Sequence, residues 1–167
     1  MLVNVTMTGD KELIVSFDEM PRSVNQALYI KIKELALKLE KLVKVGKLNG
    51  QVLNRVTGAL ARSIHNDVVR TSDSVMGHVF SSGDVKYAGI HEYGGTTSPH
   101  VILPKKAAVL AFMGAGGGMV FTRKVNHPGS RMPERSFLRS SLNDMSSEIS
   151  LGMKEAVVRA IQQEVSG

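Results

Sequence analysis

Leu28, Ile32, Leu35, Leu39 and Leu42 recur at alternating spacings of four and three residues. At 3.6 residues per turn that spacing gathers them on one face of a helix, with most neighbouring lysines elsewhere. It predicts a helix over 23–45, punctuated by Pro21, capped by Ser23 and ended by Gly46 and the Asn49-Gly50 pair. Ile30 and Leu37 widen the stripe, so this helix is expected to bury more than one side. Two uses of the stripe stay open, packing into the chain's own core or forming a seam with a partner helix.

A second long helix is expected over 134–165, where Phe137, Leu138, Leu142, Met145, Ile149, Met153, Ala156, Ala160 and Ile161 recur at helical spacing around Gly152. Between the helices the pattern alternates. Residues 2–8 and 12–17 read as a hairpin turning at Gly9-Asp10-Lys11, and 62–70 with 75–81 as strands around Thr71-Ser72-Asp73-Ser74. Thr57 is placed to cap a short helical turn, and 87–95 reads as a helical turn running into a loop. Residues 100–112 and 119–126 form a further strand pair around Gly114-Ala115-Gly116-Gly117-Gly118, within an extended hairpin and loop region over 95–130. The expected fold is a single α+β domain over 1–167, a small antiparallel sheet packed by two long helices with extended loops.

Composition narrows the function. The chain has 167 residues, 43% hydrophobic and 22% charged, which argues against disorder and against a rod. The absence of cysteine excludes a disulfide scaffold, a thiolate zinc site and a cysteine nucleophile, and fits assembly in a reducing cytosol. No apolar run approaches the roughly 20 residues that span a bilayer, so no membrane partner is expected. The first residues lack a basic stretch followed by an apolar block, so a secretory signal is not expected.

The net charge of +6 is unevenly spread. Residues 22–47 hold seven Lys/Arg against two acids, and 114–139 hold five against one. Such patches are solvated helix faces, nucleic-acid contacts or mates for an acidic protein surface. Aromatic residues are only 5%, so stacking platforms for single strands are poorly supplied.

No enzymatic motif stands out. The glycine tract lacks the Gly-Lys-Ser/Thr and the following helix that a phosphate loop needs, and reads better as a hairpin tip that orders against a partner. The histidines (His65, His78, His91, His100, His127) show no short metal-ligand spacing. There is no Gly-x-Ser-x-Gly elbow and no paired-carboxylate arrangement. Neither catalysis, nor a metal, nor a cofactor is expected.

Four stretches in order carry a family resemblance: Val56-Thr57-Gly58-Ala59-Leu60-Ala61-Arg62-Ser63-Ile64, Tyr87-Ala88-Gly89-Ile90-His91-Glu92-Tyr93-Gly94-Gly95, Val125-Asn126-His127-Pro128-Gly129-Ser130 and Met132-Pro133-Glu134-Arg135-Ser136-Phe137-Leu138-Arg139. With the long basic helix before them, they resemble the tailed-bacteriophage tail-completion and head–tail joining proteins, the minor tail components of the virion-morphogenesis family. The family's last motif usually reads Ala-Arg-Pro-Phe-Leu; here Glu134 stands for the alanine and Ser136 for the proline.

The resemblance implies a structural virion protein assembled in the host cytoplasm. It would form a ring, expected to be sixfold, at the head-proximal end of the tail or in the neck. Implied partners are further copies of the chain, the head–tail connector, and the tail terminator or tube protein, with non-specific contact to genomic DNA in the channel. A tail terminator capping the tube is the alternative within this class, and a basic nucleic-acid-binding module the alternative outside it.

Candidate interface residues are Tyr87, His91, Glu92, Tyr93, Gly94, Gly116, Gly117, Arg123, Lys124, Arg135, Phe137 and Arg139. Tyr87, Ile90 and Tyr93 either anchor a loop to the core, or leave His91 and Glu92 to face a partner. Arg135 and Arg139, one helical turn apart, are expected to project together towards an acidic patch on a neighbour, for which Asp10, Glu12, Asp18 and Glu19 are candidates. The 95–104 segment and the glycine tract are the expected arms.

Overall fold

The leucine stripe is spent within the chain's own core. A computed structural model describes residues 4–8, 12–16, 21–83 and 85–166. Helix α1 spans Arg22–Lys41. It continues in a wider π-type winding over Leu42–Gln51, where Asn49 and Gly50 leave helical geometry. Pro21, not Ser23, occupies the N-cap position, and its carbonyl accepts the Asn25 N–H at 3.0 Å. Ser23 lies inside the first turn and donates its hydroxyl to Glu164 instead.

Strands β1 (Asn4–Thr8), β2 (Glu12–Ser16), β3 (Ile64–Arg70) and β4 (Ser74–Ser81) form one antiparallel sheet in the order β1-β2-β4-β3. The two hairpins join along β2 and β4, with Glu12 opposite His78 and Ser16 opposite Ser74. The 9–11 turn and the acids Asp10, Asp18 and Glu19 lie outside the described residues. Short helices α2 (Ala59–Ser63) and α3 (Ala88–Tyr93) flank this sheet in sequence.

The last helix, α4 (Leu138–Val165), runs antiparallel to α1, tied to it by Lys38–Glu148 and to its π-type continuation by Lys47–Asp144 at 2.6 Å. Helix α1 is shared between the sheet and α4. Val24, Leu28, Ile32 and Leu35 pack with Val75 of β4 and with Met145, Ile149 and Met153 of α4. A second cluster gathers Val43, Leu48, Ala61, Ile64, Val79, Ala88 and Phe137 beyond the end of α1. Ile30 and Leu37 remain 57% and 52% exposed, so they do not widen the buried face. They point away from both layers that α1 touches.

The sheet and α1 approach closely at one point. A methyl group on Gly77 of β4 would sit 2.7 Å from Ile32 Cγ2, and Ile32 is only 1% exposed. Gly77→Val is therefore expected to cost about 1–3 kcal/mol by overpacking. Denaturant unfolding reads the loss as a lower midpoint, and an unchanged midpoint would contradict the close approach.

Residues 95–132 form one long hairpin. Strands β5 (Gly95–Thr96), β6 (His100–Ile102) and β7 (Leu110–Met113) run out. Strands β8 (Met119–Thr122), β9 (Val125–His127) and β10 (Arg131–Met132) run back. The pairs nest, β5 with β10, β6 with β9 and β7 with β8. The expected continuous strands over 100–112 and 119–126 are thus broken, while pairing extends further towards the body. Pro104 has no N–H to donate to a ladder, and 103–109 stands against only 123–124, so register cannot run through.

Candidate functional site

Helix α4 begins at Leu138, four residues later than its apolar periodicity predicts, and Glu92 supplies the reason. The first N–H groups of any helix lack partners within it. Glu92, at the end of α3 and 3% exposed, fills that need. Its Oε2 accepts the Phe137 and Leu138 N–H groups at 2.8 and 2.9 Å. Its Oε1 accepts the Arg139 N–H at 3.0 Å and the Ser136 hydroxyl at 2.7 Å. A carboxylate here also meets the positive end of the helix dipole. Burial pushes the Glu92 carboxyl up, but the donors from Leu138, Arg139, Ser136 and Phe137 outweigh it and hold its pKa below the ordinary value.

Arg139 closes the clamp from outside. Its Nη2 donates to the Glu92 carbonyl at 3.1 Å and to Glu134 Oε1 at 2.6 Å. Its guanidinium lies 5.0 Å from the centre of the Tyr93 ring. Glu134 and Ser136, the two departures from the resembled motif, both take part: Glu134 pairs with Arg139, and Ser136 bonds Glu92 while accepting the Ser140 N–H at 3.2 Å. The serine caps where a proline would only preset the first turn.

Eight of the twelve candidate interface residues meet around one helix start, and three of them, Glu92, Phe137 and Arg139, are spent within the chain. Glu92 cannot face a partner, because its carboxylate is buried and spent on α4. Phe137 is 0% exposed and belongs to the second core cluster. Arg135 and Arg139 do not project as a pair. Arg135 precedes the helix, donates its N–H to the His91 carbonyl at 2.7 Å and is exposed, whereas Arg139 is clamped.

Tyr87 and Tyr93, 45% and 49% exposed, do offer surface. Tyr87 meets His91 edge to face at 5.8 Å, and both line a groove of about 430 Å³ with Leu53, Val56 and Arg135. Gly94 is the exit from the body. Its φ of +70° suits glycine alone, and a Cβ would lie 2.9 Å from the Glu134 nitrogen.

Gly116, Gly117, Arg123 and Lys124 lie apart, on the hairpin that follows. Its glycine tip is a defined turn, with Gly114 N–H bonded to the Gly118 carbonyl at 2.9 Å and Gly117 N–H to the Gly114 carbonyl at 3.0 Å. Nine of the 21 large apolar side chains left exposed among the described residues belong to this arm. Met113, Met119 and Phe121 near the tip are 67%, 56% and 66% exposed, and Leu103 midway is 59% exposed. No arm residue enters either core cluster. A free monomer rarely leaves that much apolar side chain in water, so the arm has the character of a surface meant to be covered.

Ser136, Glu134 and the lysines Lys105 and Lys106 were not among the sequence candidates. The first two were visible only as departures from a motif. The lysines sit in a stretch without acids, which a count along the chain reveals. Among the described residues no cluster of three or more His, Cys, Asp or Glu is placed to hold a metal ion, and no helix is long and apolar enough to cross a membrane. No protein-family model, no curated protein and no solved structure matches the chain, which leaves the clamp and the arm to carry the functional reading.

Proposed function

We propose that this chain is a structural assembly protein of a tailed-phage particle, a ring subunit at the junction of head and tail. One observation carries the reading: a 95–132 hairpin that contributes nothing to the chain's own core, yet holds large apolar side chains in solvent along its length. Covering them on a neighbour turns an exposed liability into an interface core. An arm on one side of a subunit and its acceptor on another make a heterologous contact, which closes into a ring when the rotation per subunit divides a full turn.

The clamp serves that role from behind. Gly94 and Met132 mark the two ends of the arm, and Arg139, Glu134 and Glu92 tie both ends to the first turn of α4. The arm is thereby aimed by a buried, fully bonded carboxylate, which lowers the ordering cost of docking. The four ordered motifs of the resembled family fall on this apparatus: α2, α3 with the exit glycines, the returning strand β9 and the entry to α4.

The test is particle assembly with the chain withheld from an otherwise complete infection. Filled heads and finished tails are expected to accumulate separately. Joined, infectious particles at the normal titre would contradict the proposal.

A further inference from the structure

The arm's charge is as unusual as its exposure. From Gly95 to Met132 there is no aspartate or glutamate, and there are five cations: Lys105, Lys106, Arg123, Lys124 and Arg131. The whole chain carries +6, so these 38 residues hold +5 of it. Four of the cations meet at one level of the hairpin. The β6–β9 ladder stops at the Ile102–Val125 pair and the β7–β8 ladder starts at the Leu110–Thr122 pair, which sets the Lys105-Lys106 loop across from Arg123-Lys124. All four are exposed, and none makes an ion pair among the described residues.

The basic helix contrasts sharply. Lys31 pairs with Glu34, Lys38 with Glu148, Lys44 with Glu40, and Lys47 with Asp144. Four of the seven cations over 22–47 are thus answered from within, whereas all four at this level of the arm are unpaired among the described residues.

We propose that this arm binds the phosphate backbone of duplex nucleic acid, with Lys105, Lys106, Arg123 and Lys124 as its contacts. Three of the four are lysines, which protein-interface cores disfavour and phosphates accept as point charges. Among the described residues of a second copy, Glu40, Glu92, Glu134, Asp144 and Glu148 are already engaged. A two-stranded antiparallel ribbon is a shape that the major groove of a duplex admits. The arm's two phenylalanines, Phe112 and Phe121, are too few to stack a single strand along its length, and its His100 and His127 rings stack on each other. The inference does not rest on the ring reading and holds equally for a monomer.

The test is fluorescence anisotropy of a mixed-sequence duplex titrated with the full chain at several salt concentrations. Four phosphate contacts give a log–log salt slope of roughly −3 to −4, and affinity falls roughly a hundredfold between about 50 and about 200 mM salt. Replacing the four cations together, Lys105→Gln, Lys106→Gln, Arg123→Gln and Lys124→Gln, is expected to weaken binding at least tenfold and flatten the slope. The helix variant Lys31→Gln with Lys38→Gln keeps wild-type binding and slope. Polyglutamate at matched charge does not displace the duplex. Three results would each overturn the proposal: no duplex binding by the wild type at low salt, an equal loss in the helix variant, or displacement by polyglutamate as effective as by unlabelled duplex. The last would assign the arm to an acidic protein surface.

Discussion

Glu92→Ala is expected to destabilise the chain by about 3–5 kcal/mol, the scale of removing one partner from a buried, fully bonded polar cluster. The loss has several parts. The Phe137, Leu138 and Arg139 N–H groups and the Ser136 hydroxyl lose their acceptor together. Phe137, at 0% exposure, cannot turn its N–H to water without opening the second core cluster. Glu92→Gln is expected to cost less, about 1–3 kcal/mol, because the amide oxygen still accepts while its NH₂ confronts donors.

The same group predicts a pH dependence. Glu92 has its pKa held below the ordinary value in the folded chain, because its donors outweigh the upward push of burial. As pH falls, the unfolded chain therefore takes up the proton first. The stability contributed by the ionised carboxylate is fully present above the unfolded value, and is lost as pH falls through the folded one. Denaturant unfolding of wild type and Glu92→Gln from neutral pH into acid is expected to show a gap that narrows below about pH 4.5, the ordinary carboxyl value. A gap of constant size would mean that the charge does not support the helix start.

The second large effect is functional and leaves the fold intact. Excising residues 97–130 and joining Thr96 to Arg131 through an Asn-Gly turn preserves the β5–β10 pair, and Asn-Gly suits a two-residue hairpin connection. Both core clusters lack arm residues, so the unfolding midpoint is expected to match the wild type. Particle joining is expected to fail as completely as when the chain is absent. A folded, arm-less chain that restores normal titre would show that the exposed arm is dispensable, and would remove the observation on which the ring reading stands.

The parts of this molecule that were legible in the sequence are those governed by local periodicity. The α+β class, the two long helices and the β3–β4 hairpin all follow from spacings within about 20 residues. The start of α4 was not legible, because the carboxylate that fixes it lies 46 positions from Leu138. Apolar periodicity continues back through Phe137, but a helix starts where its free N–H groups find an acceptor. The exposure of Ile30 and Leu37 was equally hidden, since composition cannot say which sides of α1 the sheet and α4 occupy.

The site was half legible. A motif drew attention to Glu92 and Arg139, but adjacency in a motif does not tell an outward residue from a buried cap. The charge count over 114–139 began inside the arm and ran past it into the clamp, mixing free cations with Arg139 and Glu134. Set to the true limits of the hairpin, the same count isolates a stretch with no acid at all.

In the proposed function, subunits of this chain close into a ring through their arms where head meets tail. Cryo-electron microscopy of that junction in purified particles tests it most directly. A closed ring of this chain at the neck is expected, with the exposed apolar side chains of residues 95–132 of each subunit covered by the next and the ring's neighbours identifying it as completion ring or terminator. Absence of the chain from the particles, or a ring whose subunits leave their arms in solvent, would contradict it.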